Sequence, residues 1–461
     1  MARKFADLSL EDRIEVLGSE YYGMVFLGLA NAAYTDAGGT REQAISDELQ
    51  AVFASKAPDT VYIPPLPELG QEGVRTPDAT VPGSWSLDWG PAFPTTFAAK
   101  LSNLLYVASY RDGDGVPYFF VVGIRGTDIS AGAVSVIQQV FEDFAAFDTV
   151  EWSKLIEEER RKLGGSVKTG AVPGGRVARG SYDGARDLLD SVNTPPKGQS
   201  QPSGTLQEAL NSLLTQKNVP AGTPIVVTGH SLGGCQTQTI ASYVQWRFPD
   251  NTVIPHAFAP STAGDVAFIS DPLFRRGGFW FNTLDLVPWG YVTIAADDKA
   301  EFPDALSDPK PSDRPELGAE WAVRNLWTSF DWPKNDDGLT KGPELPARDL
   351  IQLLIDTHGE TLIRNRYARP HPELCPDVLK KMDGTIPEVQ VIQDFYKSLH
   401  PDGCLGPTSD AWSDGVVQLE WQHFPPNYQI LLWNNYQGSM VYYDYKSYPA
   451  VTAKAPAGVA I

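Results

Sequence analysis

The most informative hydrophobic pattern in the chain is an apolar run that ends abruptly in small residues. Residues 223–228 are mostly β-branched and apolar, and residues 229–234 read Gly-His-Ser-Leu-Gly-Gly. The pattern over 235–244 is helical. This order predicts a buried strand, a sharp turn and a helix, with a serine at the apex of the turn.

The same alternation of strands and helices recurs on both sides of this turn. Apolar runs bounded by turn residues predict strands at 104–110, 118–123, 252–258 and 279–282, and helical spacing predicts a helix at 206–214. Asp112-Gly113-Asp114-Gly115 marks a hairpin between the first two runs. Alternating strands and helices predict an α/β fold with a largely parallel sheet covered on both faces.

Other segments give weaker patterns. Residues 9–34 carry apolar positions at helical spacing, and so do residues 177–192. Pro and Gly are frequent in 35–95, which predicts a wrap-around segment with little regular structure. The charged, then Gly-rich stretch 151–175 predicts a surface excursion, and 194–204 reads as a linker.

The rhythm breaks after residue 290. Residues 291–411 hold helical patterns separated by Pro-rich joins, which predicts an inserted helical cap or subdomain. A strand pattern resumes at 416–421. We therefore expect residues 1–290 and 412–461 to form one core domain around the insertion.

Composition limits the possible classes of function. The 461 residues are 42% hydrophobic and carry a net charge of -20. Such an acidic chain is a poor match for nucleic acid or for an anionic membrane surface. The apolar run 23–34 is too short to span a bilayer.

The chain has three cysteines and no metal-ligand spacing. A Cys375–Cys404 bridge and free thiols are both open, while Cys235 falls on the helix after the turn. The N-terminus lacks an apolar signal-peptide region. We expect a soluble protein that is cytoplasmic or exported by a leaderless route.

Ser231 is the candidate nucleophile because the predicted turn would expose its hydroxyl above the sheet. The amide of Leu232 would then face the oxygen of an attacked carbonyl. A serine hydroxyl also needs a base, and the base needs an orienting carboxylate. In this architecture they follow in the order Ser, acid, His.

The acid is predicted on a loop after a later strand. Asp285 follows the aromatic strand 279–282, and Asp265 is the alternative after the preceding strand. The oxyanion needs a second donor, for which the end of the hairpin strand at Gly126 and Thr127 is the natural source. Arg125 reads as a buried ion-pair residue instead.

Six histidines compete for the role of base. His230 is turned away by the elbow, and His256 lies within a strand and precedes the acid. His423 follows the resumed strand directly, where the last strand of the sheet would deliver it. His400 is the alternative.

These motifs resemble the class 3 lipases, which are related to the fungal triacylglycerol lipases. The matching pieces are Ile124-Arg125-Gly126-Thr127, Thr228 through Gly234, Phe258-Ala259-Pro260 with Gly264, Asn282 through Pro288, and His423 with Tyr428. The resemblance implies an α/β-hydrolase fold, a Ser231–Asp285–His423 triad, and an oxyanion hole from Thr127 and Leu232. Residues 130–147 lie where family members carry a lid helix, although a permanently packed helix is the alternative.

The sequence departs from the family pattern at three points. Cys235 replaces a small Ala or Ser, and Ala259 stands where Gly is common. Asp285 and His423 are 138 residues apart (423 minus 285), far more than in compact members. Chain-length preference therefore cannot be carried over from the family.

Together these features predict a serine carboxylester hydrolase that acts on acylglycerols or related lipid esters, at a lipid–water interface and without a cofactor. A phospholipase A1 or an acyltransferase could use the same triad. A catalytically silent lipid- or partner-binding protein is the alternative from another class.

Overall fold

The computed structural model describes residues 5–18, 22–34, 42–54, 66–69, 75–94, 103–126, 148–164, 167–193, 195, 201–260, 263–275 and 279–281. Several predicted features lie outside these ranges: Thr127, segment 130–147, Asp285, His400, His423, Cys375, Cys404, the 291–411 insertion and strand 416–421. Among the described residues, no helix is long and apolar enough to cross a membrane.

The helices of the described part cover the sheet or extend from it. They are α1 (Leu10–Leu17), α2 (Gly23–Ala32), α3 (Glu42–Phe53), α4 (Trp152–Leu163), α5 (Arg179–Leu189), α6 (Leu206–Leu214), α7 (Leu232–Arg247), α8 (Val266–Ile269) and α9 (Pro272–Arg275).

The strands form one central sheet and two small ribbons. They are β1 (Pro67–Leu69), β2 (Arg75–Thr80), β3 (Ser84–Ala92), β4 (Leu105–Arg111), β5 (Pro117–Ile124), β6 (Thr149–Glu151), β7 (Arg176–Ala178), β8 (Ile225–His230), β9 (Val253–Phe258) and β10 (Phe279–Phe281). The six-stranded central sheet has the order β10-β9-β8-β5-β4-β3. Strands β10, β9, β8 and β5 are parallel neighbours, and β4 and β3 continue the sheet antiparallel. The predicted α/β sheet and its hairpin are therefore confirmed.

Strand β8 shows why the sheet needs cover on both faces. All six of its residues are buried, as a central parallel strand requires. Val227 points into the core formed with α5, α6 and α7. Thr228 points to the opposite face, where its hydroxyl donates to the carbonyl of Phe26 in α2 at 3.1 Å. The two sides of the strand are thus fixed by different helices.

Three sequence predictions of the fold need correction. Segment 9–34 is not one helix, because α1 ends at Leu17 and α2 begins at Gly23. Segment 35–95 is not irregular, because it contains α3 and strand β3, which pairs with β4. The first half of segment 151–175 is not a surface excursion, because it forms the partly buried helix α4.

The physical reason is the same for the last two segments. Each segment contains frequent Pro, Gly or charged residues, and this composition outweighed the short helical pattern of buried side chains in the sequence-based prediction. In α3 these are Ile45, Leu49, Val52 and Phe53, and in α4 they are Trp152, Leu155, Ile156 and Glu159. Burial of these side chains in the core, against strand β3 for α3 and against α5 and α7 for α4, outweighs the local composition.

Candidate active site

Ser231 lies at the junction of β8 and α7 in a backbone conformation that is unusual for a residue with a side chain. Its φ is 60° and its ψ is -125°. Its amide donates to the carbonyl of Phe258 at 2.9 Å, and its carbonyl accepts from the amide of Cys235 at 3.0 Å. The strand, sharp turn and helix predicted at this serine are therefore present, and its backbone is held from both sides.

Glycines allow the strand and the helix to close around this turn. A Cβ on Gly229 would overlap the carbonyl group of Gly233. A Cβ on Gly233 would lie 2.5 Å from the carbonyl oxygen of Ile124 and 2.9 Å from the amide nitrogen of Gly126. The end of β5 therefore touches the start of α7 backbone to backbone, with no room for a side chain between them.

This contact brings two oxyanion elements of the sequence prediction to one place. Leu232 is the first residue of α7, where backbone N–H groups point out of the helix end. Gly126 lies against the same helix start. Thr127 follows Gly126 directly in the chain but lies outside the described residues, so its role stays a prediction.

A second strained residue lies beside Ser231. Within the described part of the chain, Ser231 and Ala259 are the two non-glycine residues with positive φ, and the φ of Ala259 is 47°. Both follow the ends of adjacent parallel strands, β8 and β9. Backbone strain is therefore concentrated at one edge of the sheet, where catalytic groups of such folds are found. A glycine at the position of Ala259 would adopt this φ without strain.

The two described histidines have positions that agree with their exclusion as the base. His230 is fully buried, and its ring makes an edge-on contact with Tyr34 at a centroid distance of 5.9 Å. His256 is buried within β9, and its Nε2 lies 2.6 Å from the carbonyl oxygen of Leu17.

The alternative acid, Asp265, has a structural task. One of its carboxylate oxygens accepts from the amide of Phe268 at 2.9 Å and from the amide of Arg176 at 3.1 Å. These bonds cap the short helix α8 and tie it to β7. Asp285 and His423 lie outside the described residues and stay predictions.

Sequence reasoning missed Tyr34. Its hydroxyl donates to the carbonyl of His230 at 3.0 Å and accepts from the amide of Gly126 at 3.2 Å. The partners are 92 and 196 residues away, so no local pattern could have indicated the contact. The one available signal was a tyrosine at the end of an otherwise apolar helix, since a buried tyrosine hydroxyl usually finds a polar partner.

Known proteins resemble this chain in the part that carries the elbow. Residues 121–272 match the family model described as Lipase (class 3). No curated protein matches the chain at a significant level. Together with the order of the central sheet, the family match confirms the α/β-hydrolase fold and the predicted resemblance, and it supports a lipase-type ester hydrolase.

Solved structures that match this chain include three lipases. The crystal structure of M37 lipase is 16% identical, covers 87% of this chain and 99% of its own, and has a TM-score of 0.46. A triacylglycerol lipase from Penicillium expansum is 16% identical over 44% of this chain and 63% of its own, with a TM-score of 0.28. The Lip2 lipase from Yarrowia lipolytica is 15% identical over 55% and 63%, with a TM-score of 0.31.

Proposed function

We propose that this lipase-type hydrolase is a serine carboxylester hydrolase that cleaves acylglycerols or related lipid esters through an acyl-enzyme on Ser231. The single observation that carries the proposal is the backbone of Ser231, at φ 60° between a buried parallel strand and a buried helix. A non-glycine residue keeps such a conformation only where the surroundings enforce it, and such strain clusters at functional sites.

The proposed reaction follows from the groups around this turn. The Ser231 hydroxyl attacks the ester carbonyl while His423, oriented by Asp285, takes its proton. The amides of Leu232 and Thr127 hold the oxyanion of the tetrahedral intermediate. His423 returns the proton to the leaving alcohol, then activates a water molecule that releases the fatty acid.

Labelling with a fluorophosphonate probe tests the nucleophile and its partners. We expect labelling of the wild type and of the control Ser212→Ala, in which an exposed serine of α6 is removed. Ser231→Ala should abolish labelling, and Asp285→Asn and His423→Ala should slow it by at least about 1,000-fold. An unlabelled wild type would contradict the proposal and favour the catalytically silent binding protein.

The alternative acid and base are tested in the same assay. Asp265→Asn and His400→Ala should label at the wild-type rate if Asp285 and His423 carry the reaction. If Asp265→Asn loses labelling and Asp285→Asn keeps it, Asp265 is the acid. If His400→Ala loses labelling and His423→Ala keeps it, His400 is the base.

A substrate panel separates the activities that share this triad. We expect hydrolysis of short soluble esters and of triolein. Preference for phosphatidylcholine would indicate a phospholipase A1, and transfer of the acyl chain to an added alcohol in preference to water would indicate an acyltransferase.

A further inference from the structure

We propose that Tyr34 is a positioning residue that holds Gly126, at the end of β5, at a fixed separation from His230, the residue before Ser231 in the elbow. The inference rests on the proposed function, since it assigns a role in stabilising the oxyanion. Tyr34 is far from the elbow in sequence and follows the end of helix α2, which carries none of the predicted catalytic groups.

The hydroxyl of Tyr34 bridges the two segments that lead into the oxyanion donors. It donates to the carbonyl of His230, the residue before Ser231, at 3.0 Å. It accepts from the amide of Gly126, the residue before Thr127, at 3.2 Å. One oxygen atom therefore links the elbow that follows β8 to Gly126, two residues after the end of β5.

The ring of Tyr34 is in turn fixed to the body of the protein. The backbone amide of Tyr34 donates to the carbonyl of Asn31 at 2.9 Å, a bond that continues the last turn of α2. Helix α2 is held against β8 by the bond from Thr228 to Phe26. The side chain also contacts the buried ring of His230. The hydroxyl is thus placed by a buried helix and not by a surface loop.

Gly126 is adapted to this contact. A Cβ at this position would lie 2.5 Å from the Tyr34 hydroxyl oxygen and 2.6 Å from the carbonyl oxygen of His230. The three groups meet so closely that the peptide before Thr127 has little freedom while the tyrosine is in place.

Removing the hydroxyl frees one side of this arrangement. In Tyr34→Phe, the Gly126 amide and the His230 carbonyl lose their shared partner, so the backbone at Gly126 can shift relative to α7. A displacement of about 1 Å at an oxyanion donor costs on the order of 100-fold in rate. We expect substrate binding to change less than the reaction rate, because the bridge acts on the backbone that precedes the proposed oxyanion donors.

The test compares Tyr34→Phe with Tyr106→Phe in the full chain. Tyr106 is a matched control because its hydroxyl donates to Leu29, a carbonyl of the same helix, at 2.5 Å, but it bridges no oxyanion segment. Hydrolysis of p-nitrophenyl butyrate gives kcat and KM, and fluorophosphonate labelling gives the rate at which Ser231 is covalently modified. Circular dichroism gives the folded fraction, by which both rates are normalised.

We expect Tyr34→Phe to lower kcat by about 10- to 100-fold, with KM changed less than about three-fold and labelling slowed in parallel. The shape of the pH profile should stay that of the wild type, because Tyr34 exchanges no proton in the reaction. Tyr106→Phe should lower the melting temperature and leave kcat within about two-fold per folded molecule.

Two outcomes overturn the inference, and the activity of the wild type distinguishes them. If the wild type reacts and Tyr34→Phe retains its kcat, or loses no more than Tyr106→Phe, Tyr34 has no positioning role and the proposed function stands. If the wild type itself neither hydrolyses the ester nor takes up the probe, the proposed function fails and the role of Tyr34 fails with it.

Discussion

Gly233 offers the most direct test of how tightly the elbow is packed. A methyl group at this position would meet only backbone: the Ile124 carbonyl oxygen at 2.5 Å, the Gly126 nitrogen at 2.9 Å and the Arg125 carbonyl carbon at 3.0 Å. Backbone atoms cannot rotate aside as a side chain can. In Gly233→Ala, helix α7 and the end of β5 must therefore move apart.

The distances give the size of the effect. Ordinary contact begins at 3.4 Å, so the closest pair must separate by about 0.9 Å (3.4 minus 2.5). Overpacking of this kind costs about 1–3 kcal/mol. Replacing Gly with Ala offsets about 0.4–1 kcal/mol by restricting the unfolded chain. We expect a net loss of about 1–2 kcal/mol in the free energy of unfolding.

The expected loss of activity is larger than this loss of stability. Separation of α7 from β5 also separates Leu232 from the backbone at Gly126, and a shift of about 1 Å at an oxyanion donor costs on the order of 100-fold in rate. The protein would remain mostly folded, since a loss of 1–2 kcal/mol is a fraction of the roughly 5–15 kcal/mol typical of domains.

Urea unfolding followed by tryptophan fluorescence measures the first effect, and fluorophosphonate labelling per folded molecule measures the second. Gly113→Ala is the matched control, because a Cβ there meets nothing within 4 Å and its φ is not positive. Equal stability and equal labelling rates for the two variants would refute the argument that backbone contact sets the geometry of the elbow.

Two further substitutions test other strained or buried positions. Ala259→Gly should raise the free energy of unfolding by about 0.5–1 kcal/mol, because the relief of roughly 1–2 kcal/mol of left-handed strain exceeds the entropy cost of adding a glycine. Ala257→Gly, within β9, should lower the free energy of unfolding because no strain is relieved there. If urea unfolding shows a loss of stability in both variants, Ala259 is not strained. Burial raises the pKa of the Asp88 carboxyl above 3.8 despite the Arg111 guanidinium at 2.9 Å, so the folded state keeps the carboxyl protonated to higher pH than the unfolded state does. Stability therefore falls as the pH rises from the pKa of the unfolded state to that of the folded state. Asp88→Asn should therefore gain stability relative to the wild type between pH 4 and pH 7, and a pH-independent difference in unfolding free energy would rule this out.

Elements with strong local signals could be predicted from the sequence. Helix α6 matches its predicted bounds because Thr205 and Glu208 form a capping box at its start. The β4–β5 hairpin was marked by its turn, in which the Asp112 carboxylate accepts from the amides of Asp114 and Val116. In each case, the residues that determine the structure are neighbours in the chain.

Strand β3 shows why other elements could not be predicted. It lies in a segment rich in Pro and Gly, and its register with β4 shifts twice, between Leu87 and Trp89 and between Trp89 and Ala92. These irregularities break the alternation of buried and exposed side chains that identifies a strand. Its pairing is set by the completed hairpin β4–β5, which is tertiary context and not a local preference.

The same distinction separates the two parts of the candidate site. The elbow is local, because the small residues that Ser231 needs lie within three positions of it, and the sequence therefore indicates both the strain and the nucleophile. The bridge at Tyr34 joins three segments that come together only when α2 packs under β8 and β5 ends against α7. Each segment alone is unremarkable: a tyrosine at a helix end, a glycine after a strand and a buried carbonyl. The strand ends that converge on such a site can therefore be predicted from the sequence, whereas the residues that hold those ends in place can be identified only in the folded chain.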